Sequence, residues 1–297
     1  MRPRDILLFL FVTFLSAYIV YGYCMEYEFG DVDKVIQDIV REITYKRYYR
    51  SDFFKEGSRA KGKVKVYSDT GELAYVNSYK NGKLNGVSIG YYKNGNLKTE
   101  TTFKDDVVDG ILRTYYPHGV LNTVETFKGG KKNGLFEKYD IQRKKILQEH
   151  YKDDKLHGLV KEYYGNKKVH YEKMYKEGVL HGIRKEYSPE GNLLRESHYV
   201  DDVLQGEVRT YFKSGALKFT CKAVDGLLEG VSEEYEENGL LRVLGYYEKG
   251  EKHGEFDIYI MGILTKKQFY ERGLLKKIQH YAITGGLEYE ENMGAGQ

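Results

Sequence analysis

The pentapeptide from Gly86 to Gly90 has the G-x-S-x-G spacing of a nucleophile elbow. Such an elbow exposes a reactive serine on a sharp turn between a strand and a helix. Here Ser88 falls in the middle of a predicted strand, in a column of the sequence that is mostly aliphatic or aromatic, as in Val64, Leu112, Phe136 and Val160. The sequence shows no cluster of nucleophile, base and orienting group, so we expect no catalytic residues and no enzymatic activity.

Three histidines share one position of a repeated pattern: His157, His181 and His253. Neighbouring members of such a column would lie about 10 Å apart along a sheet. Two ligands of one zinc ion must each reach to about 2 Å from the metal, so these histidines do not meet without further donors. We expect polar residues that flank turns, and no metal site or other cofactor.

The repeated pattern has a fixed period of 24 residues. Nine glycines recur at this spacing, and each is followed five residues later by a tyrosine. The glycines are Gly62, Gly86, Gly110, Gly134, Gly158, Gly182, Gly206, Gly230 and Gly254. A period of this length indicates an array of small units that are stabilised by packing on their neighbours.

Within each unit, apolar residues that recur at every second position predict β-strands. Counting from the glycine, positions 11, 13 and 17 are largely apolar or β-branched, as in Leu97, Thr99 and Phe103. Residues two apart on a strand lie on the same face, so these three columns are expected to share one face.

Two turns complete each unit. Positions eight and nine hold pairs such as Asn94-Gly95, and proline stands at position seven in Pro117 and Pro189, which favours a type I turn followed by a left-handed residue. Position 20 is only ever Gly or Asp, as a tight hairpin requires. The sequence therefore predicts an all-β fold, an elongated antiparallel β-meander of about nine 24-residue hairpin units with about eighteen short strands.

The segments KNGKLNG, KEGVLHG and EKGEKHG, at residues 80–86, 176–182 and 248–254, resemble MORN repeats. The 24-residue spacing is similar to that of the bacterial MORN repeat variant, and the resemblance covers about Gly62 to Gly273. It implies a twisted β-sheet array that serves as a binding or scaffolding module without catalytic residues. Some members of the family are associated with membranes, and some bacterial relatives are described as antitoxins.

Residues 1–23 predict export. Two arginines within the first four residues precede the uncharged apolar run of residues 6–23, which is followed by acidic residues. This order directs the following chain across a membrane. The run is a signal peptide that is removed or a membrane anchor that is retained, and the sequence does not decide between them. The second cysteine, Cys221, lies in a predicted strand far from Cys24, so no disulfide framework is expected.

Residues 24–61 are expected to cap the array. Apolar residues recur at three- and four-residue steps over residues 31–45, which predicts a short amphipathic helix. Its function is to cover the exposed strand edge at that end, or to bind a partner or a second copy. Residues 62–276 form the predicted array, and residues 277–297 form a C-terminal cap strand and tail.

Units four and five break the pattern of the long turn. Arg143 and Lys167 replace the turn glycine, Lys145 and Val169 replace the following leucine, and Lys144 and Lys168 lie in the same turns. Because the repeat units are expected to stack in register, both turns should lie side by side on one edge of the sheet. These residues predict a basic patch that binds an anionic partner, and the alternative is a set of solvated lysines: Arg143, Lys144, Lys145, Lys167 and Lys168.

The net charge of +3, with interleaved signs, excludes the clustered basic surface of a typical nucleic-acid-binding protein. We expect an exported, envelope-associated scaffold that binds another protein or an anionic envelope component, a polymer or a lipid headgroup. The alternative, implied by the resemblance alone, is an antitoxin or immunity-type protein that masks a cognate toxin. A surface of tyrosines that stacks on sugars is a third possibility, although regular recurrence favours a structural role for the tyrosines.

Overall fold

The computed structural model describes residues 54–294, with side chains from residue 57 onward. Two compact units divide the chain at residue 54, and the described residues lie, apart from Phe54, in the second. The apolar segment 6–23 and the helix predicted for residues 31–45 are outside the described residues. Residues 54–294 contain strands and turns only, so they include no helix long and apolar enough to span a bilayer.

The described residues form one antiparallel sheet of 24 strands. In chain order the strands are β1 Phe54–Glu56, β2 Lys61–Tyr67, β3 Leu73–Lys80, β4 Lys83–Leu84, β5 Gly86–Tyr91, β6 Leu97–Lys104, β7 Val107–Tyr115, β8 Leu121–Lys128, β9 Lys131–Tyr139, β10 Lys145–Lys152, β11 Lys155–Leu156, β12 Gly158–Tyr163, β13 Val169–Lys176, β14 Val179–Tyr187, β15 Leu193–Val200, β16 Val203–Tyr211, β17 Leu217–Val224, β18 Leu227–Tyr235, β19 Leu241–Glu248, β20 Glu251–Lys252, β21 Gly254–Ile260, β22 Ile263–Glu271, β23 Leu274–Tyr281 and β24 Leu287–Asn292.

Strands that follow each other in sequence pair antiparallel, as in β5 with β6, β6 with β7 and β7 with β8. The predicted all-β meander is therefore confirmed. More strands appear than the eighteen expected, partly because three long strands are interrupted near the repeat glycine and divide into a short and a long piece: β4 and β5, β11 and β12, β20 and β21.

The tight turns at positions 19 and 20 have positive φ at both central residues. The φ angles are 50° and 71° at Asp105 and Asp106, and 58° and 83° at Gly129 and Gly130. Positive φ at both positions is the requirement of a type I′ turn, whose twist matches that of the flanking strands. The preference of this column for Gly and Asp is explained by that backbone requirement.

The longer turns run over five residues. At the second of them, Tyr92 N donates to Asn96 O at 2.8 Å, Gly95 N donates to Tyr92 O at 2.9 Å, and Gly95 has a φ of 82°. This arrangement is the predicted type I turn with a left-handed residue. The ninth unit differs, because Met261 and Gly262 form a two-residue turn with φ angles of 51° and 79°.

The repeat glycine itself lies at a β-bulge. Between β6 and β7 the register shifts, with Thr101 opposite Leu112 but Phe103 opposite Val108. Gly110 lies in the shifted segment with a φ of 123°, and a Cβ added there would approach Thr102 Cβ to 3.0 Å. A bulge with positive φ requires glycine, which explains the column of nine.

A second β-bulge places position 11 of the unit on the opposite face of the sheet from the one predicted. Between β9 and β10, Leu147 pairs with Lys138 but Lys145 pairs with Tyr139, so Ile146 is the extra residue. The Lys145 ammonium contacts Glu137 and Gln148, neighbours of Lys138 and Leu147 that point to the opposite face. The expectation that positions 11, 13 and 17 share one face is wrong for position 11.

We call the face that carries positions 2, 4, 13, 15 and 17 the core face. It holds most of the buried side chains, including Val64, Val208, Cys221, Ala223 and Phe256, each at most 3% exposed. Burial raises the pKa of the Cys221 thiol. Cys221 therefore fills space on the core face as a small apolar residue.

The described residues end in an edge strand. β24 pairs with β23 on one side, and all six of its side chains are exposed, among them Glu288, Glu290 and Glu291. Charged side chains on an edge strand oppose pairing with a second chain.

The core face depends on Gly245, whose missing side chain makes room for Phe256. A Cβ at Gly245 would lie 2.2 Å from Phe256 Cε1. We expect Gly245→Ala to lower the free energy of unfolding by about 1–3 kcal/mol, because the ring must move. Urea unfolding followed by circular dichroism measures this. Gly165→Ala is the control, because a Cβ there meets nothing within 4 Å, and an equal loss in both variants would contradict the explanation.

Candidate functional site

The five predicted cations lie on the edge of the sheet that carries the five-residue turns, which we call the loop rim. Arg143 and Lys144 are in the turn before β10, and Lys145 is the first residue of β10. Lys167 and Lys168 are in the turn between β12 and β13. Because β10 pairs with β12, these two turns belong to neighbouring hairpins, as predicted.

Two of the five cations are engaged by other groups. Lys145 forms an ion pair with Glu137 and donates to Gln148 Oε1 at 3.2 Å. Lys168 donates to the backbone carbonyl of Glu190 in the next turn. The predicted patch is therefore reduced to Arg143, Lys144 and Lys167, which form no ion pair with any described residue.

Arg143 and Lys167 adopt the backbone conformation of the glycine they replace. Their φ angles are 63° and 70°, whereas Gly95 and Gly119 in the same column have φ angles of 82° and 86°. This conformation costs a residue with a Cβ more than it costs glycine. Both cations are therefore held at the loop rim at the expense of stability.

The turn that carries Arg143 also lacks a contact made by its neighbours. Tyr116 Oη donates to Tyr139 O at 3.0 Å, and Tyr164 Oη donates to Tyr187 O at 2.8 Å, so each of these turns is tied to the next hairpin. In unit four the tyrosine is replaced by Asp140, whose carboxylate accepts from Gln142 N and Lys144 N of its own turn, both at 2.8 Å. The hydrogen bonds that stabilise this turn are therefore formed within the turn itself.

A row of lysines lies on the opposite edge, which carries the two-residue turns and which we call the turn rim. The last residue before the tight turn is lysine in five successive units. We call these residues the lysine row: Lys80, Lys104, Lys128, Lys152 and Lys176. All five are exposed, and neighbouring members are about 10 Å apart, which is the advance of one strand pair.

Further lysines stand directly across the tight turns. Lys80 pairs with Lys83, and Lys128 pairs with Lys131. Lys152 and Lys155 form the third such pair, and both reach Glu177, at 3.8 and 4.0 Å. The other lysines of the row form no ion pair within residues 57–294. Their positive charge is therefore directed to solvent.

Farther along the chain, the two positions that flank the tight turn hold aliphatic residues. Val200 pairs with Val203, and Val224 pairs with Leu227, and these four side chains are between 37% and 49% exposed. These four aliphatic residues belong to two neighbouring hairpins and lie on the same rim. The columns that flank the tight turns are therefore rich in lysine through the first five units and apolar in the next two, and the turns between the lysines carry the carboxylates of Asp105, Asp106, Asp153, Asp154 and Glu177.

The turn rim was missed by the sequence analysis, although the signal was present. A lysine at position 18 recurs without interruption from Lys80 to Lys176 and is visible as soon as the 24-residue units are aligned.

The histidines have the expected structural role. His181 Nδ1 lies 3.1 Å from Asp201 Oδ1, and His157 Nδ1 lies 3.3 Å from Glu177 Oε1, so each contacts the next tight turn. Within residues 57–294 no group of three or more His, Cys, Asp or Glu residues is arranged to hold a metal ion.

Ser88 lies in the middle of β5 and is 6% exposed. Its Oγ has no hydrogen-bond partner within the described residues, so none of them takes its proton. The strand-to-helix turn of a nucleophile elbow is absent at this serine.

Several repeat tyrosines bind carboxylates. Tyr115 Oη donates to Glu100 at 2.7 Å, and Tyr187 Oη donates to Glu172 at 2.9 Å. Desolvation, together with these hydrogen bonds, raises the pKa of each of the two hydroxyls to about 12. These contacts join strands within the sheet and favour a structural role for the tyrosines.

Comparison with known proteins agrees with the repeat geometry. The model of the MORN repeat variant matches residues 61–81, 84–105, 156–177 and 180–201. The chain carries MORN repeat variants. Each matched segment contains one five-residue turn and ends at or next to a tight turn, so the MORN unit here is a hairpin with its connection to the next.

No curated protein matches the chain. Among solved structures, the "Crystal Structure of TcdB2-TccC3" is 14% identical, with a TM-score of 0.22, over 78% of this chain and 15% of that chain. The "Structure of Photorhabdus luminescens Tc holotoxin pore" is 11% identical, with a TM-score of 0.19, over 78% of this chain and 16% of that chain. The chain thus spans about a sixth of the length of these proteins, and the likeness carries no argument about its fold or function.

Replacing the left-handed cations by glycine should stabilise the protein. We expect Arg143→Gly and Lys167→Gly each to raise the free energy of unfolding by about 0.5–1 kcal/mol, because glycine adopts positive φ without a steric penalty. Chemical denaturation of the single variants measures the gain. Lys144→Gly is the matched control, since Lys144 does not have positive φ, and it should not stabilise. Equal effects at Arg143 and Lys144 would contradict this explanation.

Glu149 gives a pH-dependent prediction. Burial raises the pKa of this carboxyl, and Glu162 and Glu125 add to the shift, against lowering by the Tyr151 hydroxyl and Lys132. Because the folded pKa lies above the unfolded value, the destabilisation by Glu149 begins as pH rises past the unfolded pKa and is complete above the folded pKa. Glu149→Gln should therefore stabilise the protein at neutral pH, and the gain should vanish at acid pH below the unfolded pKa. Urea unfolding at both pH values tests this, and an equal difference at both would contradict it.

Proposed function

We propose that the repeat array is a non-catalytic scaffold, exported from the cytoplasm, whose turn rim binds an anionic component of the cell envelope. The observation that carries this proposal is the lysine row, defined above as Lys80, Lys104, Lys128, Lys152 and Lys176. Five exposed ammonium groups on one edge, repeating every two strands, match an extended array of negative charges better than a single small anion.

The strength of such binding comes from the number of charges. One exposed lysine near an anionic surface contributes only about 1 kcal/mol, and less at high salt. A rigid sheet holds its lysines at fixed spacing, so each contact after the first is intramolecular. The row would therefore bind a polymer or a headgroup layer far more tightly than it binds a monovalent anion.

The apolar stretch beside the row supports the same proposal. Val200, Val203, Val224 and Leu227 continue the columns of the lysine row and are exposed. A basic surface that continues into exposed aliphatic side chains is suited to a lipid headgroup layer, where charge and apolar contact act together.

Export is the second part of the proposal, and it rests on residues 1–23. Arginines before an uncharged apolar run place the residues that follow on the far side of a membrane. If the apolar run is retained, it holds the scaffold beside a membrane. If the run is removed, the turn rim provides attachment by itself. The antitoxin alternative stays a prediction, since no contact among the described residues favours it.

Charge reversal tests the proposal. A triple variant with Lys104→Glu, Lys128→Glu and Lys176→Glu changes only lysines of the row that have no ion pair. We expect it to lose at least tenfold in affinity for vesicles that contain phosphatidylglycerol, and the parent protein to lose affinity as salt is added. Vesicle cosedimentation measures both.

The control changes the same number of charges on the other rim. Arg143→Glu, Lys144→Glu and Lys167→Glu alter the free cations of the predicted patch, and this variant should retain most of the affinity. A loss confined to the control would assign binding to the loop rim instead. Unchanged binding in both variants, or equal binding of the parent to uncharged phosphatidylcholine vesicles, would contradict an anionic partner. Polyphosphate in place of vesicles distinguishes a polymer from a lipid surface.

A further inference from the structure

The core face contains a pocket of about 210 Å³ near the C-terminal end of the described sheet. Strands β17 to β22 contribute to its wall. The side chains that line it include Phe219, Glu234, Tyr247, Lys252, Phe256 and Gln268. The pocket is small compared with a typical ligand site of about 300–1,000 Å³, so it is suited to a compact ligand.

Aromatic rings form the floor of the pocket. Phe256 is 2% exposed and lies against the backbone of Gly245, where a Cβ would come within 2.2 Å of the ring. Its ring centroid is 5.8 Å from that of Tyr247 and 5.1 Å from that of Tyr270, with edge-to-face geometry in both pairs. This packing fixes the floor in place.

One cation lies over this floor without an acidic partner. Lys252 Nζ is 4.9 Å from the ring centroid of Phe256 and 5.0 Å from that of Tyr270. Lys252 is partly buried, and it forms no ion pair with any described residue. The one carboxylate in the wall, Glu234, is compensated by Arg242, whose Nη1 lies 3.3 Å from Glu234 Oε1.

Unit three also has a lysine above two aromatic rings, and there a carboxylate lies beside the lysine. Lys132 occupies the position of Lys252 in the repeat, and its Nζ is 5.1 Å from the ring centroid of Phe136 and 5.2 Å from that of Tyr151. There the Glu125 carboxylate, opposite Phe136 in the ladder, lies 3.2 Å from the ammonium.

The residue that corresponds to Glu125 is Gly245, since each stands seven residues before its lysine. The pocket therefore has the cation and the rings of unit three but not the carboxylate. The Phe256 ring occupies the space beside the Gly245 backbone, so no other side chain takes the place of the carboxylate there.

We propose that this pocket binds a small aromatic carboxylate. The carboxylate takes the place beside Lys252 that Glu125 takes beside Lys132, and the ring of the ligand packs against Phe256 and Phe219. Tyr247 and Gln268 offer further hydrogen-bonding groups in the wall. This site is on the core face, so it is independent of the binding proposed for the turn rim.

Benzoate is the probe, titrated into the full chain and followed by isothermal titration calorimetry. One site per chain is expected, because Lys132 already holds a carboxylate. Lys252→Leu should weaken binding roughly ten- to a hundredfold, since it removes a charge-assisted hydrogen bond. Benzamide, which has the same shape without the charge, should bind correspondingly more weakly to the parent protein.

The substitution is compatible with the fold, because leucine already occupies this column in five units: Leu84, Leu156, Leu180, Leu204 and Leu228. Lys218→Leu is the matched control. Lys218 Nζ lies 5.6 Å from the ring centroid of Phe212 but outside the pocket, and Leu194 occupies the same column. The control should bind benzoate like the parent.

The proposal is overturned if benzoate shows no saturable binding at millimolar concentration, or if Lys252→Leu and Lys218→Leu weaken binding equally. Equal binding of benzamide and benzoate would also overturn it, because the ammonium would then have no part in recognition. Thermal unfolding of each variant checks that a loss of binding is not a loss of folding.

Discussion

The left-handed backbone at the chain reversals is the constraint on which the rest of the structure depends. Within one unit the chain turns back twice and passes one glycine bulge, and each event requires positive φ, as at Gly95, Asp106 and Gly110. Residues with a Cβ lose roughly 1–2 kcal/mol in that conformation, so the turns fix both the residue types and the spacing. Each tight turn also donates a hydrogen bond to the strand that follows the preceding tight turn, with Gly130 N donating to Val108 O at 2.8 Å and Gly226 N to Leu204 O at 3.0 Å. A unit of different length would lose these contacts, which is why the period is strict.

A single sheet has a thin core, so charged side chains can enter columns that are apolar elsewhere. Position 15 of the unit is Cys221 in one hairpin and Glu149 in another, and position 22 is leucine in five units but lysine at Lys132 and Lys252. The charged members are tolerated because partners lie one strand away, as when Lys132 binds Glu125. Partly buried charges that are paired cost far less than isolated ones. Where the partner is missing, as at Lys252, the cation is left to interact with something else.

The sequence contains enough to predict the strands, both turn types and the order of pairing, because each is encoded by residues with a specific backbone requirement. It does not show the second bulge. That bulge needs no particular residue type, since Ile146 occupies it as readily as His170, and it moves Lys145 to the face of Glu137. The neighbouring positions of the two loop-rim turns follow from the order of pairing. The contacts of Lys145 with Glu137 and Gln148, and of Lys168 with the Glu190 carbonyl, depend on side-chain conformations that the sequence does not show. The pocket was unpredictable for a similar reason, because it depends on how the Phe256 ring packs across the Gly245 backbone.

On the turn rim, the residues that the fold restricts are different from those whose chemistry is free to vary. The two turn residues are restricted by φ, whereas the residues on either side of them pair across a hairpin end and face solvent, so the fold demands little of their chemistry. Along the chain those flanking pairs change from Lys128 and Lys131 to Val224 and Leu227, and then to Glu248 and Glu251, without any change in register. If these positions served only solubility, mixed charges in every unit would serve equally well, and four exposed aliphatic residues together would be a liability. Segregation of lysine, aliphatic and glutamate pairs along one edge is instead what we expect of the proposed binding surface, which must match an extended partner in one orientation.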